Sequence, residues 1–187
     1  MTQVKAAVFA SGTGSNFQAI MEAGDLGCEI VLLVCDNPDA TVIDKAKYHD
    51  IPVFVFQPTN YESKEAYEQV IIKYLIEANV SWIFLAGYMR IVGSTLLKAY
   101  KGKVINIHPS LLPQFPGKDG IEQALEAGVT KTGVTVHYID AGIDTGPIIA
   151  QETVEVLPQD SITTLKKRIQ KAEHELYPSV IKQLLKK

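Results

Sequence analysis

Asn106 and His108 stand two residues apart at the end of the apolar run VINIHP. Side chains on a strand alternate between faces, so this spacing aims both polar groups one way while Ile105 and Ile107 point the other. Pro109 then removes a ladder donor and helps to end the strand. An asparagine amide can donate to a developing oxyanion, and a histidine can donate a proton or a charged hydrogen bond. The pair has the chemistry of a catalytic site. The same two groups could instead satisfy buried loop backbone, and the spacing leaves both readings open.

Two further stretches carry chemistry. The glycine-bounded loop DAGIDTGP (140–147) holds Asp140 and Asp144. A carboxylate beside His108 would favour its imidazolium, although either aspartate could simply close a turn. The loop ASGTGSN (10–16) follows an apolar strand and opens a helix. The dinucleotide pattern GxGxxG fails because Phe17 stands at its third glycine, and no Gly-Lys-Ser/Thr follows for a Walker loop. What remains suits a single phosphate held by Gly14, Ser15 and Asn16, or a tight turn capped by Ser15 or Asn16. No GxSxG elbow exists, and neither Cys28 nor Cys35 has a motif around it. Direct transfer between two bound substrates therefore fits better than a covalent acyl-enzyme.

Elements that could position these groups alternate along the chain. Continuous apolar runs at 4–10, 29–35, 53–56, 81–87 and 103–108 read as buried strands. Helical spacing fills 16–24, the stretch up to Tyr48, 63–79 with Ser63 as N-cap, 94–100 and 121–128. Strands apolar on both faces, interleaved with helices, imply a Rossmann-like, doubly wound, mostly parallel sheet with helices on both faces. The stretch 132–140 alternates as an edge or one-sided strand would, and with 147–156 it forms an antiparallel C-terminal addition. From Asp160 the chain reads as helix to its end, with Pro178 expected to kink or break it. In such sheets ligands bind beyond the carboxyl ends of the strands.

Composition narrows the classes. The 187 residues suit one domain, and no linker, repeat or low-complexity tract divides them. A net charge of −3 gives no general attraction to nucleic acid or anionic membranes. No apolar run is long enough to span a bilayer, and the N-terminal run is too short for a signal peptide. We expect a cytoplasmic protein with free buried thiols. Of the four histidines, none falls in a metal-binding spacing, so no metal is expected. His137 reads as a half-buried structural residue and His49 as unrelated to the site.

The motifs SGTGSN, LAGYMRIV (85–92), INIHPSLLPQFPG (105–117), GVTVHYID (133–140), the aspartate of DTGP (144–147) and QKAEHELYP (170–178) occur in the order seen in one family. In them the chain resembles, over essentially its whole length, the phosphoribosylglycinamide formyltransferases, folate-dependent enzymes of purine synthesis. The resemblance implies the formyltransferase fold as a single domain over 1–187, its N-terminal half binding the nucleotide phosphate and its C-terminal half catalytic and folate-binding. It implies transfer of a formyl group from the co-substrate 10-formyltetrahydrofolate to glycinamide ribonucleotide. Asn106, His108 and Asp144 match the catalytic trio. Gly14, Ser15 and Asn16 match the phosphate loop, Gln170 and Glu173 the ribose contacts, and Pro109 would line the nucleotide side. Met89, Arg90, Ile91 and Val92 match the segment lining the folate pocket, with Asn106 beside it. The loop Asp140, Ala141, Gly142, Ile143 and Asp144 would receive the pterin ring. Lys64 stands where some relatives place arginine near the folate's glutamate tail, and it would supply a point charge without bidentate geometry. By residue type alone Met89 and Ile91 would be core and Arg90 a solvated charge.

Two rivals share the trio. Methionyl-tRNA formyltransferase adds a C-terminal tRNA domain, and the acidic balance here argues against tRNA. Formyltetrahydrofolate deformylase adds an N-terminal regulatory domain, whereas the catalytic-type domain here is expected to begin at residue 4. A nucleotide-binding module without catalysis would use the first loop and leave Asn106, His108 and Asp144 idle. Monomer and homodimer both remain open.

Overall fold

The computed structural model describes residues 3–186. Lys187, to which the last helix was expected to run, and Met1 and Thr2 lie outside the described residues. The strands are β1 (Val4–Ala10), β2 (Cys28–Cys35), β3 (Val53–Val55), β4 (Trp82–Leu85), β5 (Val104–His108), β6 (Lys131–Tyr138) and β7 (Ile148–Glu155). The helices are α1 (Ser15–Glu22), α2 (Val42–Tyr48), α3 (Lys64–Glu77), α4 (Ser94–Ala99), α5 (Gly120–Glu126) and α6 (Ile162–Leu185).

All seven strands form one sheet in the order β3-β2-β1-β4-β5-β6-β7. The first five are mutually parallel, and β6 and β7 add antiparallel. The apolar runs form the buried strands because each is covered twice. Ala6, Val8, Ala10, Ile105 and Ile107 pack on one side with Phe17 and Ile20 of α1 and Tyr177, Val180 and Ile181 of α6. Ala7, Phe9, Ile83, Leu85 and Val104 pack on the other with Ile71 and Leu75 of α3 and Leu96 of α4. Ser63 caps α3 as expected, its side chain accepting the Ala66 N–H at 3.1 Å.

Two expectations need correction. β6 is not an edge strand; it lies between β5 and β7 and is buried on both faces. Its alternate residues Thr135 and His137 look like solvent-facing positions, yet both are fully buried because they hydrogen-bond within the site. Pro178 does not break α6, which runs unbroken from Ile162 to Leu185. Tyr177, Val180 and Ile181 on either side are buried in the core. Burial of such side chains contributes about 1.5–3 kcal/mol each and offsets the roughly 3 kcal/mol that a helix-interior proline costs. The Tyr177 hydroxyl also donates to the carbonyls of Leu85 (2.8 Å) and Ile105 (3.2 Å), pinning α6 to β4 and β5.

Strand order reverses between β1 and β4, which opens a crevice at their carboxyl ends. Phe9 pairs with Leu85 and Leu85 with Asn106, so the chain leaves the sheet after β1, β4 and β5 at three adjacent points.

Candidate active site

Asn106 and His108 share a face, as the alternation requires. Directly across the antiparallel ladder, Asn106 faces His137 and His108 faces Thr135. His108 is 5% exposed. Its Nε2 lies 2.9 Å from the Phe115 carbonyl, so that nitrogen donates and the ring orientation is fixed. Its Nδ1 faces Asp144 Oδ2 at 3.5 Å. The Phe115 carbonyl thus takes the Nε2 hydrogen, and the Asp144 carboxylate is the charge that stands beside Nδ1.

The loop carrying Asp144 does not follow the carboxyl-end rule. β6 runs antiparallel, with Tyr138 opposite Ile105 and the Ile139 N–H donating to the Val104 carbonyl, so the loop starts at the far end of β5 from His108. It folds back until Asp144 Oδ2 accepts the Gly117 N–H at 2.7 Å. Asp144 holds a left-handed backbone, φ 54°, which aspartate tolerates better than most residues. Asp140 closes the loop on itself: Oδ1 accepts from Thr145 Oγ1 (2.7 Å) and Gly142 N–H (2.9 Å), and these bonds, the Thr145 one first, hold its carboxyl below the usual range. Asp140 is therefore the turn-closing aspartate and Asp144 the one facing histidine.

His137, which the sequence reads as a half-buried structural residue, is fully buried and joins the cluster. Its Nδ1 donates to the Tyr138 carbonyl at 3.0 Å, and its Nε2 lies 3.3 Å from Asn106 Nδ2. Burial, the leading cause, pushes its pKa down. A neutral ring protonated at Nδ1 leaves Nε2 to accept one amide hydrogen of Asn106. That bond fixes the amide and leaves its second hydrogen for a ligand. Asp144 Oδ1, 3.8 Å from His137 Nε2, is the weaker neighbour. The signal was present in VTVHY, where Thr135 and His137 alternate with valines as Asn106 and His108 alternate with isoleucines. Thr135 completes the frame, donating to the Ser110 carbonyl (2.7 Å) and accepting from the Leu112 N–H (3.1 Å) and Gln151 (3.0 Å).

At the other end of the crevice, Gly14 is the N-cap of α1 with φ 74° and no side-chain cap bond. The capping alternative for Ser15 and Asn16 is thereby corrected; both sit inside the first turn, because only glycine fits at the cap. A Cβ at Gly14 would lie 2.5 Å from Val42 Cγ2. Gly14→Ala should cost about 1–3 kcal/mol of stability and raise the KM for a phosphorylated substrate more than that for its co-substrate. Thermal melts and steady-state kinetics on the variant check this.

Asn16 is buried, and its Nδ2 donates to Glu173 Oε2 at 3.3 Å. Asn16 Oδ1 is buried without a partner. Gln170 lies three residues before Glu173 on α6, half-buried, and Pro109 is half-buried beside His108. Burial pushes the Glu173 carboxyl up to about 7, with the Asn16 bond opposing. The folded state thus prefers the protonated acid, so this contribution is complete below about pH 4.5 and is lost as pH rises through about 7. Glu173→Gln should then stabilise the ligand-free protein at pH 8 by up to about 3 kcal/mol and leave it unchanged at pH 4. Denaturant melts at the two pH values measure the difference.

The segment after β4 is tied at every step. The Ser11 N–H donates to the Gly87 carbonyl (3.0 Å) and the Met89 N–H to Ser11 Oγ (2.9 Å). Arg90 Nε donates to buried Asp36 at 2.9 Å, so Arg90 is half of an ion pair rather than a solvated charge. Glu68 on α3, itself buried, accepts the Gly93 N–H at 2.8 Å and the Leu96 N–H at 3.4 Å, capping α4 from outside. Met89 and Ile91 are not core: they are 69% and 55% exposed. Ile143 is 55% exposed on the other loop, with Ala141 and Gly142 also open. Such apolar side chains on rigid loops suit a flat ring system. Val92 is 6% exposed and packs in the core, so it can offer a ligand only backbone. Lys64 Nζ donates to the Ile91 carbonyl at 2.9 Å, because its position at the start of α3 sets it over that loop. Among the described residues no group of three or more His, Cys, Asp or Glu could hold a metal ion, and no helix is long and apolar enough to cross a membrane.

Residues 4–181 match the family model described as formyl transferase. A Bacillus subtilis (strain 168) phosphoribosylglycinamide formyltransferase is 56% identical over 184 residues, covering 97% of this chain and 94% of its own length. A Drosophila melanogaster trifunctional purine biosynthetic protein adenosine-3 is 39% identical over 186 residues, and the chain spans 14% of that protein. The crystal structure of a glycinamide ribonucleotide transformylase from Geobacillus kaustophilus superimposes with a TM-score of 0.95 at 55% identity, covering 98% of this chain and 100% of the other.

Proposed function

This chain belongs to the formyl transferase family, and from that membership we propose that it moves the formyl group of 10-formyltetrahydrofolate to the amine of glycinamide ribonucleotide, a step of purine biosynthesis. The observation that carries the catalytic assignment is the Asn106–His108–Asp144 cluster, joined by His137, where β5 ends beside the crevice. The neutral amine of the nucleotide attacks the formyl carbon. A carbon–nitrogen bond forms, and the carbonyl becomes a tetrahedral oxyanion. The free amide hydrogen of Asn106 and the Nδ1–H of His108 donate to that oxygen. Nδ1 is the reacting nitrogen because Nε2 is committed to the Phe115 carbonyl. Asp144 holds the ring charged and aligned. On collapse the bond to the folate nitrogen breaks, that nitrogen takes up a proton, and the attacking amine loses one through His108 or a bound water. Holding both substrates in one crevice supplies much of the rate.

In this reading Gly14, Ser15 and Asn16 meet the phosphate, Gln170, Glu173 and Pro109 the ribose side, and the 89–92 and 140–144 loops the folate. Lys64 serves by shaping the first of these loops. Cys28 and Cys35 are both free thiols, as a reducing compartment would keep them, which supports a cytoplasmic home. Following tetrahydrofolate release with and without glycinamide ribonucleotide tests the assignment. Release should require the nucleotide; equal release in its absence would mark a deformylase.

A further inference from the structure

We propose that Ser110 is a positioning residue for His108: its hydroxyl holds the turn whose Phe115 carbonyl fixes the Nε2 edge of the ring, and so keeps Nδ1 turned to the reacting atoms. It rests on reading His108 Nδ1 as the donor to the oxyanion. Ser110 stands two residues beyond His108 and is fully buried. Its Oγ lies between two successive carbonyls, 2.6 Å from that of Gln114 and 3.2 Å from that of Phe115. Its one hydrogen serves both, the Gln114 oxygen more closely. His108 Nε2 donates to the same Phe115 oxygen at 2.9 Å. One carbonyl therefore joins the serine to the histidine.

That carbonyl belongs to a strained residue. Phe115 has φ 51°, a left-handed backbone that a bulky side chain rarely adopts. Such a conformation persists only where its surroundings fix it. The Gln114 N–H closes the turn by donating to the Leu111 carbonyl at 3.0 Å, which leaves the Gln114 and Phe115 carbonyls to other donors. Among the described residues the Phe115 carbonyl is held by His108 and Ser110. The serine is anchored in its turn on β6. Its carbonyl accepts from Thr135 Oγ1 at 2.7 Å, and Thr135 also takes the Leu112 N–H. The start of α5 closes the other side, where a Cβ at Gly120 would lie 3.2 Å from the Phe115 oxygen and 3.5 Å from His108 Nε2. Without the hydroxyl, two neighbouring carbonyls lose a shared donor above a strained residue. The turn relaxes, the bond to Nε2 loosens, and the ring can rotate and carry Nδ1 away from Asp144.

The test follows His108 by NMR in protein labelled with nitrogen-15 histidine, for wild type, Ser110→Ala and Ser110→Cys, with His108→Ala to assign the signal. Wild type should show a hydrogen fixed on Nε2, and Ser110→Ala should lose that signal to exchange with water. The single-turnover rate of Ser110→Ala should fall about three- to tenfold, the scale of one hydrogen bond, with both KM values within about twofold of wild type. Ser110→Cys keeps close to the volume of serine and offers only a weak S–H donor, so it should follow alanine in signal and rate; it also carries the test should the alanine variant fail to fold. Cysteine matching wild type in both readouts would mark a serine that only fills space and overturn the proposal. An unchanged Nε2 signal in Ser110→Ala would overturn it whatever the rate. Loss of the signal with an unchanged rate would instead overturn the reading that His108 Nδ1 takes part in the reaction.

Discussion

Replacing His108 by alanine should lower turnover by at least about a hundredfold, the usual scale for a positioned acid or base, with substrate KM values changing far less. The group removed is the ring that the Phe115 carbonyl locks from behind at Nε2 and that places Nδ1 beside Asp144. The loop it supports should survive, because Ser110 Oγ also donates to the Phe115 carbonyl at 3.2 Å and Thr135 still holds the Ser110 carbonyl. Circular dichroism and a thermal melt check the fold, and single-turnover kinetics check the chemical step. A folded variant with near-normal turnover would remove His108 from the mechanism.

Asp144→Asn should reduce kcat by up to about ten-thousandfold, the scale seen when a histidine loses its orienting carboxylate. Asparagine keeps the size of the side chain and tolerates the left-handed backbone at this position, φ 54°, and its amide oxygen can still accept the Gly117 N–H. That oxygen is also the atom beside His108 Nδ1, so the amide nitrogen takes the Oδ1 position and what His108 loses is the negative charge. Without that charge the imidazolium is no longer favoured, and the Nδ1 donor aimed at the oxyanion is withdrawn. Because the loop keeps its shape, the KM for the folate substrate should change less than about threefold, the cost of less than one net hydrogen bond. A parallel rise in KM and fall in kcat would instead mean that Asp144 holds the loop and leaves the chemistry alone.

The sheet was legible because its strands announce themselves. Runs such as VKAAVFA and WIFL are apolar on both faces, and the structure covers both. The Asn106–His108 pair was legible for the same reason, since a period of two is a local property of the chain. Asp144 could be named only through the resemblance. Its contact with His108 depends on a loop that returns from the opposite end of β5, a distance no spacing encodes. His137 escaped because its role comes from cross-strand register; a buried histidine becomes a positioning group only when its partner is Asn106. The Lys64 contact with the Ile91 carbonyl and the burial of the Val92 side chain depend on how α3 packs over that loop, which spacing along the chain does not encode. Pro178 shows the opposite limit, where a strong local signal yields to the packing of Tyr177, Val180 and Ile181.

The most direct measurement is to supply 10-formyltetrahydrofolate with a carbon-13 label in its formyl group and follow that carbon by NMR in the presence of glycinamide ribonucleotide. The label should move into the formamide of the nucleotide product in step with tetrahydrofolate release, and in Asn106→Ala it should move at least about a hundredfold more slowly, the scale of losing one oxyanion donor. Label accumulating as free formate, or moving at an unchanged rate in that variant, would contradict formyl transfer at this site.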